Sequence, residues 1–100
     1  MTILDNHKTD IKRLCEDHSV RNLYAFGSVL TSEFNELSDI DLIVDFDPIE
    51  LLQYADNYYD LKFSLQSILR RSIDLLEEKA IKNPYFKEAV TQKRQLIYGH

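Results

Sequence analysis

The sequence predicts an α/β fold, a small mixed β-sheet covered by helices, on three observations. Helical and strand-like stretches alternate along the chain, one stretch (residues 39–46) reads clearly as a strand, and Gly27-Ser28, Asp47-Pro48 and Asn83-Pro84 punctuate the joints. One hundred residues, 44% of them hydrophobic and 29% charged, suit one globular domain over residues 1–100, since two cores would each be too small to bury enough apolar surface.

The elements follow in order. Thr9 can cap a first helix, with Asp10 favourably placed in its first turn, that runs to about His18. Ile11, Leu14, Cys15 and His18 fall at i, i+3, i+4 and i+7, so this helix has one apolar face. Residues 21–26 read as a strand that stops at Gly27-Ser28, and the polar residues 31–38 make a turn or loop. The strand at residues 39–46 ends at Asp47-Pro48, where Asp47 can cap a long helix with Pro48 in its first position. Leu51, Ala55, Tyr58, Leu65 and Leu69 recur at helical spacing as its core face, interrupted by Lys62, and Arg70 and Arg71 suit its carbonyl end. Residues 72–76 form a short strand. Asn83-Pro84 opens a last helix lined by Tyr85, Ala89, Gln92 and Leu96 and ended by Gly99.

Charge and cysteine usage narrow the function. The net charge of −5 and the scattered lysines and arginines disfavour a long DNA or RNA ligand, because phosphate neutralisation supplies most of that affinity. A nucleotide that arrives with its own magnesium remains compatible with acidic residues. Cys15 has no zinc-ligand spacing to His7, His18 or His100 and reads as a packing residue; one cysteine without a partner fits a reducing cytoplasm. No apolar run is long enough to span a bilayer, and residues 1–8 lack the pattern of a secretion signal, so the expected location is cytoplasmic, without membrane contact.

Three features carry chemistry in combination. Gly27-Ser28 follows a strand directly; glycine allows a tight turn with room for a phosphate, and serine offers a hydroxyl and an N–H. In Ser38-Asp39-Ile40-Asp41-Leu42-Ile43-Val44, strand alternation puts Asp39 and Asp41 on one face, about 6.5–7 Å apart along the backbone. Two such carboxylates can converge on a pair of magnesium ions about 3.5–4 Å apart. Asp74 is the lone acid in the apolar strand Ile73-Asp74-Leu75-Leu76, a costly place for a carboxylate without a cation. If that strand lies beside the first, Asp74 joins the same face; otherwise it sits in water or pairs with Arg70 or Arg71. Asp47 is explained as a helix cap, and Asp45 as a solvated or outlying residue.

Ala25-Phe26-Gly27-Ser28, the Asp39–Asp41 strand, Ser72-Ile73-Asp74-Leu75 and the tail from Glu78 through Asn83-Pro84-Tyr85-Phe86 together resemble the minimal nucleotidyltransferases of the DNA polymerase beta superfamily. The resemblance covers nearly the whole chain and implies the palm-like nucleotidyltransferase fold. It also implies roles. Asp39 and Asp41 would hold two Mg²⁺ ions, Asp74 would help hold the catalytic one and act as base or orient the acceptor hydroxyl, and Gly27 and Ser28 would hold the triphosphate of ATP. Many family members place arginine after Gly-Ser, where this chain has Val29, Leu30 and Thr31.

The minimal members resemble antitoxins that neutralise a small helical HEPN-type toxin by adenylylating a tyrosine, and the short chain leaves no room for a separate acceptor domain. Tyr54, Tyr58, Tyr59 and Phe63 on the long helix either serve an interface or bury its second side. Two other readings stand beside this one: a binding module that neutralises its partner by contact alone, favoured by the missing arginine, and an antibiotic-modifying nucleotidyltransferase, which would need an added acceptor domain.

Overall fold

The computed structural model describes residues 2–99 and shows a four-stranded mixed sheet of order β3-β2-β1-β4. Chain order is α1 (Thr2–Asn6), α2 (Lys8–Asp17), β1 (Val20–Phe26), a 3₁₀ turn (Gly27–Leu30), β2 (Ile40–Phe46), α3 (Leu51–Leu69), β3 (Ile73–Glu77), a second 3₁₀ turn (Glu78–Ala80), α4 (Pro84–Lys93) and β4 (Gln95–Tyr98). β1 pairs antiparallel with both β2 and β4, whereas β2 and β3 are parallel, joined by α3 as crossover. The α/β class and mixed sheet expected from the sequence are what the chain forms.

The two faces of the sheet have different cover. Leu23 and Ala25 of β1, Ile40, Leu42, Val44 and Phe46 of β2, and Ile73 and Leu75 of β3 bury one face in a single cluster with Ile11 and Cys15 of α2 and Leu61, Leu65 and Leu69 of α3. Alternation sends Tyr24, Phe26, Asp41 and Ile43 to the opposite face. There Phe86 of α4 meets Phe26 edge-on at 6.4 Å, and the Arg94 guanidinium lies 3.8 Å from the centre of the Tyr24 ring while pairing with Glu78 at 2.5 Å.

Several elements differ from expectation for identifiable reasons. α2 opens at Lys8 with His7 rather than Thr9 at its cap position, because α1 runs directly into it and His7 N–H bonds back to Leu4. Its apolar face is as expected: Ile11 and Cys15 are buried, and His18 closes it, with Nδ1 2.7 Å from the Leu14 carbonyl oxygen and Nε2 2.5 Å from the Asp60 carboxylate of α3. α3 begins at Leu51, not at Pro48. Asp47 N–H donates to the Ser19 carbonyl at 2.8 Å, which extends the β1–β2 pairing by one residue beyond β2 and holds Asp47 out of the helix. Asp47 therefore caps nothing and instead accepts from Arg21 Nε at 2.9 Å.

The core face of α3 is correspondingly shifted. Leu51 is 88% exposed and Ala55 is exposed, while Leu61, Leu65 and Leu69 lie on the sheet with Tyr54, Tyr58 and Ile68 partly buried beside them. Arg70 closes the helix in a left-handed conformation (φ 54°, ψ 39°), its N–H on the Gln66 carbonyl. The last helix stops at Lys93, so Leu96 belongs to β4, Tyr85 and Gln92 are exposed, and Val90 is its buried residue. The open edge of β1 explains this: β4 pairs Leu96 with Tyr24 and Gln95 with Ala25, so Gly99 (φ 112°) follows a strand rather than a helix.

Candidate functional site

The parallel register of β2 and β3 sets Asp41 beside Asp74, and the antiparallel register of β1 and β2 sets Asp41 beside Phe26. Partners in adjacent strands share a face, so Asp74, Asp41 and Phe26 form a row across three strands, about 4.8 Å from one strand to the next. The sequence left open whether Asp74 joins the other acids or pairs with Arg70 or Arg71. It stands next to Asp41, and among the described residues no lysine, arginine or histidine forms an ion pair with Asp39, Asp41 or Asp74.

Burial and neighbouring like charge both disfavour an ionised carboxylate, and Asp41 meets both. Burial first, then the Asp74 charge, then the Asp39 charge raise its carboxyl above the ordinary aspartate value. Asp41 is half-buried; Asp74 and Asp39 are exposed. Asp39 does not lie in the strand as expected. β2 starts at Ile40, and Asp39 is the last residue of the loop before it.

Gly27 closes the site from β1. Its φ of 75° lies in the left-handed region, and a Cβ built on it would come 2.6 Å from Asp41 Oδ2. Glycine here thus permits both the sharp exit from β1 and the close approach of the Asp41 carboxylate. The following 3₁₀ turn is held through the Ser28 carbonyl, which accepts from Thr31 N–H at 2.9 Å and Thr31 Oγ1 at 3.0 Å. Ser28 Oγ has no hydrogen-bond partner among the described residues. Val29 is buried in the main core and Leu30 packs against it, while Thr31 is exposed, so the first two residues after Gly27-Ser28 turn inward.

Sequence reasoning missed two contributors. Phe26 flanks Asp41 on the side away from Asp74, and the alternation of β1 was a sufficient signal for its face. Arg71 stacks on Phe34 at 4.4 Å and donates from Nη2 to the carbonyls of Asn35 and Ser38, a loop role that residue spacing does not encode. Tyr58 reaches β3 through its hydroxyl, which donates to the Leu75 carbonyl at 2.5 Å, so at least this tyrosine of α3 serves packing.

One end of the sheet thus gathers carboxylates that have no ion-pair partner among the described residues beside a glycine turn. Residues 8–97 match the nucleotidyltransferase domain, and the chain belongs to that family. A proposed protein adenylyltransferase of Methanocaldococcus jannaschii is 35% identical over 97 residues, covering 96% of this chain and 90% of the relative. The protein adenylyltransferase MntA of Thermococcus cleftensis is 33% identical, covering 97% and 89%. Among solved structures, a proposed minimal nucleotidyltransferase superposes with a TM-score of 0.76 at 28% identity over 92% of this chain and 90% of that one. A chain from the complex of a tri-AMPylated Shewanella oneidensis HEPN toxin with its MNT antitoxin shares the fold, with a TM-score of 0.65 at 21% identity over 97% and 73%.

Proposed function

We propose that this protein transfers AMP from ATP to a hydroxyl on a protein partner, a tyrosine of a small helical HEPN-type toxin, and acts thereby as an antitoxin. The observation that carries the reading is the register that places Asp41 beside Asp74 without a neutralising cation among the described residues. The names of the relatives supply the donor and the class of acceptor.

The residues fit magnesium by the chemistry of their donors. Hard carboxylate oxygens are its ligands, and Asp41, whose carboxyl is raised by burial first and then by the Asp74 and Asp39 charges, has no ion-pair partner among the described residues. Among the described residues no three histidine, cysteine, aspartate or glutamate side chains are arranged so that they could hold a metal ion by themselves. Magnesium characteristically rests on one or two carboxylates together with substrate phosphates and water, so an open set is appropriate to it. Asp41 and Asp74 would hold it, with Asp39 as the third acid; once bound it would offset phosphate charge and favour departure of pyrophosphate.

The chain itself supplies position. Gly27 lets the Asp41 carboxylate approach the backbone at the exit from β1, and Ser28 beside it offers its hydroxyl to a phosphate. Asp74, exposed at the edge strand, can accept a hydrogen bond from an incoming tyrosine hydroxyl and align it in line with the leaving group. The acceptor hydroxyl attacks the α-phosphorus, a phosphodiester bond to tyrosine forms, the bond to the β-phosphate breaks, and the phenolic proton leaves to Asp74 or water.

The test is label transfer from ATP carrying ³²P at the α-phosphate, with magnesium, in lysate of the source cell. The expected result is a labelled protein band that disappears for Asp39→Asn/Asp41→Asn. Absence of any band with all four nucleotides, while the chain still captures a partner, would replace the reading by neutralisation through contact alone.

A further inference from the structure

Asp39 presents a problem of order. It lies outside β2, it is exposed, and the ladder bonds that fix Asp41 and Asp74 do not extend to its own backbone. An acid of the site on a free loop end would spend its time in many orientations, and its share of any cation would fall accordingly.

The residues on either side of Asp39 are nevertheless held, and by consecutive residues of one connection. The Ser38 carbonyl accepts from Arg71 Nη2 at 2.5 Å, and Ile40 N–H donates to the Ser72 carbonyl at 3.0 Å. The same Arg71 nitrogen also reaches the Asn35 carbonyl, and its guanidinium lies on the Phe34 ring. The loop closes on itself around these contacts. Asn35 Oδ1 accepts from Leu37 N–H at 2.8 Å, Ser38 Oγ accepts from Asn35 N–H at 3.1 Å, and Ser38 N–H donates to the Asn35 carbonyl at 3.1 Å. Arg70, in the left-handed conformation that ends α3, turns the chain so that Arg71 faces the loop.

We infer that Arg71 is a positioning residue: it clamps the Phe34–Asn35–Ser38 loop and so fixes Asp39 beside the Asp41–Asp74 pair for divalent-cation binding. The inference rests on the reading of the three acids as a metal site. A guanidinium is suited to the task, because it offers a flat face to the ring and in-plane donors to two carbonyls at once, which a lysine ammonium on a flexible stem does not. The geometry also explains why Arg71 forms no ion pair with Asp74 despite lying only three residues before it.

Two measurements on Arg71→Ala and Arg71→Lys test the role. Hydrogen exchange followed by mass spectrometry should show residues 35–40 exchanging about tenfold faster in Arg71→Ala, with β1 and α3 unchanged. Mn²⁺ binding in the presence of ATP, followed by electron paramagnetic resonance, should weaken about tenfold in Arg71→Ala and less in Arg71→Lys, while the affinity for metal-free ATP stays within about twofold. Unchanged exchange in residues 35–40, or Mn²⁺ binding equal to that of the unsubstituted chain, would overturn the inference. Faster exchange throughout the chain would also count against it, since that marks a general structural role. An unsubstituted chain that binds no Mn²⁺ with ATP would instead remove the metal-site reading itself, and the positioning role with it.

Discussion

Replacing Gly27 by alanine sets a methyl group against the carboxylate at the centre of the site. Two costs separate cleanly. The first is conformational: φ of 75° is left-handed, which costs an L-residue with a Cβ about 1–2 kcal/mol of stability. The second is steric: the new Cβ would lie 2.6 Å from Asp41 Oδ2, well inside contact distance. That atom ends a short side chain at the surface end of β2, so it can rotate away at little cost to folding. Its displacement would nevertheless move a carboxylate of the proposed cation site by the better part of an ångström, which is worth on the order of a hundredfold in rate. Gly27→Ala should therefore melt only modestly early in a urea titration yet lose about two orders of magnitude in AMP transfer. In an Asp41→Ala background the same glycine substitution should cost about the same stability, the conformational part, because the relieved clash adds little to it. A Gly27→Ala protein that transfers AMP at nearly the normal rate would refute the claim that Gly27 is there to admit Asp41.

Three further outcomes follow from the core and the second sheet face. Leu65 is fully buried between α3 and the sheet, and Leu65→Ala should destabilise the fold by about 2–5 kcal/mol, read from denaturant unfolding. Burial first, and the Glu16 charge second, push the Cys15 thiol up to about 12, so at pH 8 it should react with a disulfide reagent at least about a hundredfold more slowly in the native protein than in urea; equal rates would place it at the surface. Arg94 joins Glu78 at 2.5 Å, with the two side chains only 18% and 26% exposed, and Arg94→Ala should cost about 2 kcal/mol by leaving the glutamate unpaired, measured by thermal unfolding against Glu78→Gln.

How legible the molecule was depends on the range of the interaction concerned. Asp41 and Asp74 could be named from strand alternation and from the cost of a lone acid in an apolar strand, both local properties. Their adjacency needed the β2–β3 register, which is a tertiary fact, and the parallel pairing supplied it. Gly27 was legible as a turn but not as the residue whose missing Cβ makes space for Asp41. The start of α3 was misplaced because Asp47-Pro48 is a good helix opening in isolation, and a single strand-like bond from Asp47 to Ser19 overrides it. β4 was absorbed into the last helix because Leu96 kept helical spacing with Ala89 and Gln92; only the open edge of β1 calls for a strand there. Arg71 looked like a helix-end cation, and its real partners are carbonyls more than thirty residues earlier in the chain.

The same strands carry a second acidic group at their other end, where Asp45 and Glu77 line a small cleft with Asp47, and this gives an internal control for the central claim. The most direct measurement is paramagnetic broadening of assigned amide signals by Mn²⁺ in the presence of a non-hydrolysable ATP analogue. The account predicts that residues 26–28, 39–42 and 73–75 lose intensity first and that Asp41→Asn abolishes the loss. Preferential broadening at residues 44–49 and 77–79, or a pattern that Asp41→Asn leaves intact, would contradict the assignment of Asp39, Asp41 and Asp74 as the cation site.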